Sequence, residues 1–288
     1  MGIAIITGAS SGMGRDFVLE LDSRFTFDEI WLIARRVDKL EAVAKELKNK
    51  AKVISLDLEK IEDLEKYTNL LVEEKPDVSF LVNSAGFGRF GNYQEVDCAV
   101  SLKMIDLNCK ALVYMTMNTL PYMTKGSKII NLGSASSFFP LINLNAYAAT
   151  KAYVVHYSNA LHDELKERGI SVTVVCPGWV KTEFFDVAKN TENVHGPKQY
   201  KPMLDSKKVV KRAVNAAMKG KKFSVYNWYT KFHRWGARFL PRWLMLSTWK
   251  GMQKKEVKKD VKKEPKKEAK KDVKKEPKKE NKPEAVKE

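Results

Sequence analysis

Short runs of uninterrupted apolar residues recur along the chain, separated by longer stretches in which apolar positions return every three or four residues. The runs Gly2–Ile6, Ile30–Ala34, Val53–Leu56, Val78–Val82, Lys128–Leu132, Val172–Cys176 and Phe223–Val225 predict strands buried on both faces. Helical spacing predicts helices over Val37–Asn49, Ile61–Glu74, Val96–Met123, Asn145–Arg168 and Ser206–Lys219, with a further one carrying Phe17, Val18 and Leu21. Strands alternating with helices call for an α/β fold, a doubly wound parallel sheet with helices on both faces.

The first run leads straight into Thr7-Gly8-Ala9-Ser10-Ser11-Gly12-Met13-Gly14. A strand, a glycine turn and a helix N-terminus form a phosphate cradle, because glycine permits close backbone approach and the exposed amides face the anion. The spacing is Gly-x-x-x-Gly-x-Gly rather than the commoner Gly-x-Gly-x-x-Gly. Dinucleotide folds place an acid at the end of the second strand to bind the ribose 2′-hydroxyl. Here that stretch reads Leu32-Ile33-Ala34-Arg35-Arg36. Guanidinium pairs with phosphate in planar, charge-assisted geometry, so NADP(H) is expected over NAD(H), with Arg35 as the 2′-phosphate ligand and Arg36 as its helper. Two arginines opening a solvated helix are the plainer alternative.

Tyr147 and Lys151 stand four residues apart, with Ser134 thirteen residues before the tyrosine. Residues i and i+4 share a helix face, which sets the ammonium beside the phenol and favours the phenolate. The tyrosine can then exchange a proton with a substrate oxygen, and Ser134 can donate a hydrogen bond to that oxygen.

Thr7 to Gly14, Asn83-Ser84-Ala85-Gly86, Asn108, Ser134, Tyr147, Lys151 and Pro177-Gly178 through Thr182 together resemble the short-chain dehydrogenase/reductase family, in order and spacing, over residues 1 to about 226. That resemblance implies a Rossmann-like domain and hydride transfer between NADP(H) and a carbonyl or secondary alcohol. It makes Asn108, Ser134, Tyr147 and Lys151 the catalytic set, with Lys151 also on the nicotinamide ribose. For the cofactor it implies Gly8, Ser10, Ser11, Gly12, Met13 and Gly14 at the pyrophosphate. Asp57 with Leu58 would lie at the adenine, Asn83, Ala85 and Gly86 beneath the adenosine, and Pro177, Gly178, Val180 and Thr182 at the nicotinamide. Read from the residues alone, Asp57 is equally a helix cap and Asn108 a satisfied buried amide. The resemblance further implies a homodimer or homotetramer packed through helix 96–123 and the tyrosine helix, although periodicity alone fits a buried core helix as well. The stretch Glu183–Asp205 would form a lid. Phe184, Phe185, Val187, Tyr200, Met203, Leu204 and Phe138-Phe139-Pro140 would line an apolar pocket for a lipid-like or steroid-like ketone. A 3-oxoacyl chain on an acidic carrier protein is the alternative substrate, and a non-catalytic nucleotide-binding scaffold the alternative function.

Composition changes this picture mainly at the C-terminus. The formal charge of the 288 residues is +17, yet residues 1–205 carry 24 Lys and Arg against 26 Asp and Glu. Residues 206–252 carry 12 basic and no acidic side chains. The chain therefore divides into a domain at 1–226, a basic aromatic helical segment at 227–252 and a Lys/Glu repeat tail at 253–288. The tail, without aromatics and with few aliphatics, is expected to be disordered. In segment 227–252, Trp228, Tyr229, Phe232, Trp235, Phe239, Leu240, Trp243, Leu244, Leu246 and Trp249 interleave with Lys231, Arg234, Arg238, Arg242 and Lys250, and Pro241 is expected to start a second helix. Such a segment suits peripheral contact with an anionic membrane and equally a cap over the substrate pocket; no specific nucleic-acid partner is expected. Cys98, Cys109 and Cys176 read as buried thiols of a reducing, cytoplasmic protein. The first strand leaves no room for a signal peptide, and the four histidines lack ligand spacing, so no metal is expected.

Overall fold

The computed structural model describes residues 1–189, 200 and 202–254. Seven strands, β1 (Ile3–Thr7), β2 (Ile30–Ala34), β3 (Ala51–Ser55), β4 (Val78–Asn83), β5 (Lys128–Leu132), β6 (Ser171–Val175) and β7 (Phe223–Ser224), form one sheet. Their order is β3-β2-β1-β4-β5-β6-β7, and every neighbouring pair is parallel. The winding direction reverses between β1 and β4, so a crevice opens beyond the carboxyl ends of those strands, where α/β sheets bind ligands.

Side chains alternate across the sheet because a strand's period is two. Ala4 and Ile6 of β1 enter one core with Phe17, Val18 and Leu21 of α1 (Gly12–Arg24) and Val210 and Val214 of α8 (Ser206–Met218). Ile3 and Ile5 enter the opposite core with Trp31, with Tyr67 and Leu71 of α3 (Ile61–Glu74), and with Met115 of α5 (Ala111–Thr119). The inner strands β1, β2 and β4 are thus apolar on both sides because both sides are covered, whereas the edge strand β3 is only part-buried.

Three helices depart from their apolar periodicity, one of them only in that the helix expected over Asn145–Arg168 ends at Glu164. Helix α2 (Val37–Ala44) stops five residues before Asn49. The buried Asp22 carboxylate of α1 accepts from the backbone amides of Lys48 (3.0 Å) and Asn49 (2.9 Å) and from Asn49 Nδ2 (2.8 Å), which draws that stretch out of the helix. The single helix expected over Val96–Met123 is α4 (Cys98–Ile105), a π turn at Asp106–Lys110, α5 and a 3₁₀ turn at Leu120–Tyr122. A π turn inserts one residue into the helical ladder, which leaves no residue-type signature. Cys109 and Cys176 are buried, but Cys98 is exposed at the start of α4, contrary to expectation.

Helix α6 (Asn145–Glu164) crosses β5 over a buried polar relay. Asn83 Nδ2 donates to Asn131 Oδ1 (2.9 Å), and Asn131 Nδ2 donates to Ser158 Oγ (2.9 Å). After β7 come α9 (Trp228–Phe239) and α10 (Arg242–Lys254), which follow α7 (Phe184–Lys189) and α8 in the chain. Pro241 separates α9 from α10. Residues 255–288, where the disordered tail was expected, and most of the lid between 190 and 201 lie outside the described residues. No helix among the described residues is long and apolar enough to cross a membrane.

Removing the middle of the relay strands buried donors and acceptors, each costing about 1–3 kcal/mol. Asn131→Ala is therefore expected to destabilise the fold by about 2–3 kcal/mol in urea unfolding, with a mismatch between α6 and β5 felt at the site that α6 carries.

Candidate active site

A cleft of about 630 Å³ runs along the carboxyl ends of the strands, from the glycine turn after β1 to Trp249 on α10. At its closed end α1 begins at Gly12, and the capping residue Ser11 makes no side-chain hydrogen bond to the helix. The N-terminal amides are left for a ligand, and the helix dipole favours an anion there. Gly14 is required by contact: a Cβ there would sit 2.1 Å from the Gly8 carbonyl oxygen. Thr7 Oγ1 accepts from the amides of Ser84 and Ala85, both at 3.1 Å, tying the end of β1 to the turn after β4. This cradle fits a dinucleotide pyrophosphate.

The cationic end of the cleft is built differently from the sequence expectation. Arg36 reaches back to the glycine turn, donating to Ser10 Oγ (3.1 Å) and Ser11 Oγ (2.9 Å). Its other nitrogen meets Glu183 at 3.1 Å, and Lys39 meets the same carboxylate at 3.0 Å. Lys39, and then Arg36, hold the Glu183 carboxyl below its usual range against the opposing effect of burial. Arg35 also lines the cleft but points to Glu59, 3.7 Å away, and is largely exposed. Lys39 was missed in the sequence; its place three residues after Arg36 on α2 was the available signal.

Gly8, Ser10, Ser11, Gly12, Met13, Gly14, Asp57, Leu58, Ala85, Gly86, Pro177, Gly178, Val180 and Thr182 all line the cleft. Asp57 also caps its own turn, accepting from the Glu59 amide at 3.2 Å. Asn83 and Asn108 lie behind the lining. Asn83 is held in the relay and by Thr116 Oγ1 (3.0 Å). Asn108, on the π turn, accepts from the Phe87 amide (3.1 Å) and donates to the Phe87 carbonyl (2.9 Å) and Thr150 Oγ1 (3.0 Å). Its side chain is thus consumed in fastening the 86–88 loop to α6.

Ser134, Tyr147 and Lys151 converge midway along the cleft. Ser134 follows β5 and accepts from the Ser136 amide (3.1 Å), which turns its hydroxyl toward Tyr147. Lys151 is buried and donates to the Leu132 carbonyl at 2.7 Å, with Nζ 5.8 Å from the centre of the Tyr147 ring. Burial pushes the Lys151 ammonium down to about 8. Burial also pushes the Tyr147 phenol up to about 12, against the lowering effect of the Ser134 hydrogen bond. The lysine was expected to lower the tyrosine; in this geometry desolvation wins, since Nζ is turned to Leu132. Tyr147 is therefore a protonated acid at neutral pH.

The other end is an aromatic chamber. Phe184 packs on Tyr147 with ring centres 5.4 Å apart, and Trp179 packs on Tyr200 (5.1 Å) and Trp249 (6.4 Å). Of the residues expected here, Phe139, Phe184, Phe185 and Val187 line the cleft, and Tyr200 stacks on Phe90 behind it. Leu204 instead bridges to Val180, Met203 is exposed, and Phe138 packs under β6. Tyr229 and Trp249 line the cleft from α9 and α10, as the cap alternative for 227–252 had it, whereas Trp179 and His233 were not singled out as lining residues.

A family model for short chain dehydrogenase matches residues 2–193. The chain belongs to the short-chain dehydrogenase family. It is an oxidoreductase acting on CH–OH and C=O groups with a nicotinamide cofactor. An uncharacterized oxidoreductase of Staphylococcus epidermidis is 32% identical over 182 residues, covering 62% of this chain and 78% of that protein. The very-long-chain 3-oxoacyl-CoA reductase of Macaca fascicularis is 34% identical over 210 residues, which span 68% of this chain and 65% of the reductase. Among solved structures, a short-chain dehydrogenase from Sphingobium yanoikuyae in complex with NADPH superposes with a TM-score of 0.69 at 22% identity, covering 93% of this chain and 98% of that one. A serine dehydrogenase complexed with NADP+ gives 0.65 at 29% identity, covering 73% and 86%.

Two outcomes follow from this geometry. A Cβ at Gly88 would lie 2.8 Å from both the Tyr147 ring and Phe184, so Gly88→Ala must displace the phenol. Displacement on the ångström scale costs about 10²-fold in rate, and kcat is expected to fall accordingly while nucleotide titration shows unchanged binding. With Tyr147 protonated throughout, the alkaline limb of carbonyl reduction belongs to Lys151. Activity is present while the ammonium is charged and is lost as pH rises through about 8, a limb that kcat/KM measured against pH would locate.

Proposed function

We propose that the protein reduces a hydrophobic ketone with NADPH, and that Ser134, Tyr147 and Lys151 carry the chemistry. The observation behind this reading is the position of those three side chains, between a phosphate cradle on one side and an aromatic chamber on the other. A reduced nicotinamide would supply the hydride to the carbonyl carbon. The carbonyl oxygen accepts a hydrogen bond from Ser134 and a proton from the Tyr147 hydroxyl, which yields the alcohol. The Lys151 ammonium stabilises the phenolate left behind, so charge appears where a cation already waits. Asn108 and Thr150 are positioning residues that keep α6 and the 86–88 loop in register.

Preference for the 2′-phosphate rests on Arg36 and Lys39, which converge on the Glu183 carboxylate as they would on a phosphate, with Arg35 beside them. The likeness to a 3-oxoacyl-CoA reductase makes a 3-oxoacyl thioester the first ketone to try. Exposed Leu102, Ile105, Met117 and Tyr153 on α4, α5 and α6 support a homo-oligomer formed through those helices.

The test is fluorescence titration with NADPH and NADH, followed by turnover of a long-chain 3-oxoacyl thioester. Arg36→Ala is expected to weaken NADPH binding by roughly tenfold to a hundredfold, the worth of a charge-assisted hydrogen bond, and to leave NADH binding alone. Tyr147→Phe should bind NADPH normally and lose turnover. Equal affinity for both nucleotides in the wild type, or full turnover by Tyr147→Phe, would overturn the assignment.

A further inference from the structure

Helix α9 presents two contrasting faces. On the inner one, Tyr229, Thr230 and His233 line the cleft, and His233 stacks on Phe139 with ring centres 5.6 Å apart. The Arg234 guanidinium lies 3.6 Å over the Phe223 ring, fastening the same helix to β7. Helix α10 is fastened too, since Trp249 is buried and its Nε1 donates to the Ile142 carbonyl at 3.0 Å. The outer face is the opposite in character. Trp228, Phe232, Trp235 and Phe239 recur at four-, three- and four-residue steps and are 76%, 51%, 52% and 61% exposed, and Trp243 of α10 continues the stripe at 70%. Phe232 packs on Trp235 (5.9 Å) and Trp235 on Phe239 (5.4 Å), so the rings form one apolar band.

We infer that this band, on the reverse of the helix that lines the aromatic chamber, is a docking surface for an anionic lipid bilayer. Large aromatic side chains prefer the headgroup level, and basic residues alongside them gain from anionic lipid. Lys231 and Arg238 flank the band, and residues 206–252 contain no acidic side chain at all. That charge excess decides among occupants. A second copy of the chain on the same face would set Lys231 and Arg238 against their own counterparts with no carboxylate to offset them. A fixed inner face keeps the outer band rigid, so docking costs little ordering. The inference deepens the reading of a hydrophobic substrate, on which it rests for its purpose: a lipid ketone partitions into the bilayer on which the protein would dock.

The experiment uses the full chain with vesicles of phosphatidylcholine alone and of phosphatidylcholine mixed with phosphatidylserine, read by co-sedimentation and by the blue shift of tryptophan emission. Binding is expected only to the mixed vesicles. The double variant Trp235→Ser/Phe239→Ser is expected to lose at least tenfold in vesicle affinity, and Lys231→Gln/Arg238→Gln to lose several-fold and become less salt-sensitive. NADPH titration and turnover of a short, soluble ketone should be unchanged in both, which also shows that the variants fold. Equal binding by Trp235→Ser/Phe239→Ser would assign the affinity to the basic tail and overturn the proposal. So would a variant that merely dissociates an oligomer in sedimentation, or a wild type that binds a single-stranded RNA oligonucleotide and no vesicle. A wild type that binds mixed vesicles yet no NADPH would sink the reductase reading and leave the docking surface standing.

Discussion

Lys151 carries an ammonium into the closed middle of the cleft, and the surrounding architecture answers to that burial. An unpaired buried cation is among the costliest groups a fold can hold, and here its proton is weakened to about 8. The Leu132 carbonyl at the end of β5 satisfies it, which means that α6 must cross β5 at one height and one rotation. The Asn83–Asn131–Ser158 relay fixes that crossing from below, and Asn108 with Thr150 fixes it from the side. Tyr147, one turn earlier on the same helix, then has no freedom left. The same dry surroundings that weaken the lysine strengthen the phenol's hold on its proton, so one environment prepares an acid and a cation together.

The cofactor end obeys a different constraint, that of close backbone approach. The Gly14 Cα lies where any side chain would strike the Gly8 carbonyl, and Thr7 stitches β1 to the turn after β4. Winding from β1 outward to β3 and then from β4 to β7 leaves an opening at that seam. Cations gather there from α2 and meet Glu183, which enters from the segment after β6. A single carboxylate thereby ties the start of α2 to the segment after β6.

The C-terminal helices combine a cap over the cleft with an exposed aromatic stripe. Sequence reading weighed a pocket cap against a membrane-facing helix for 227–252. In the structure the inner side of α9 and the buried Trp249 close the cleft, while the other aromatic stripe of α9 remains in solvent. A helix has room for both because its faces are independent.

By itself the sequence determined the alternation of strands and helices, hence the parallel sheet, since runs such as Ile30–Ala34 can be apolar throughout only if both faces are covered. It also determined the glycine turn and the Tyr147–Lys151 pair, because turn geometry and i,i+4 spacing are local. Tertiary structure decided what depends on distant neighbours. Asp22 ends α2 early by capturing the amides of Lys48 and Asn49, which touch it in space and lie far from it in sequence. The π turn around Asn108 is invisible because one residue inserted into a helical ladder leaves no residue-type signature. Arg36 rather than Arg35 faces the glycine turn, because that depends on how α2 leaves β2. Desolvation of Tyr147 outweighs its nearness to Lys151, and no spacing rule reports how much water a fold excludes.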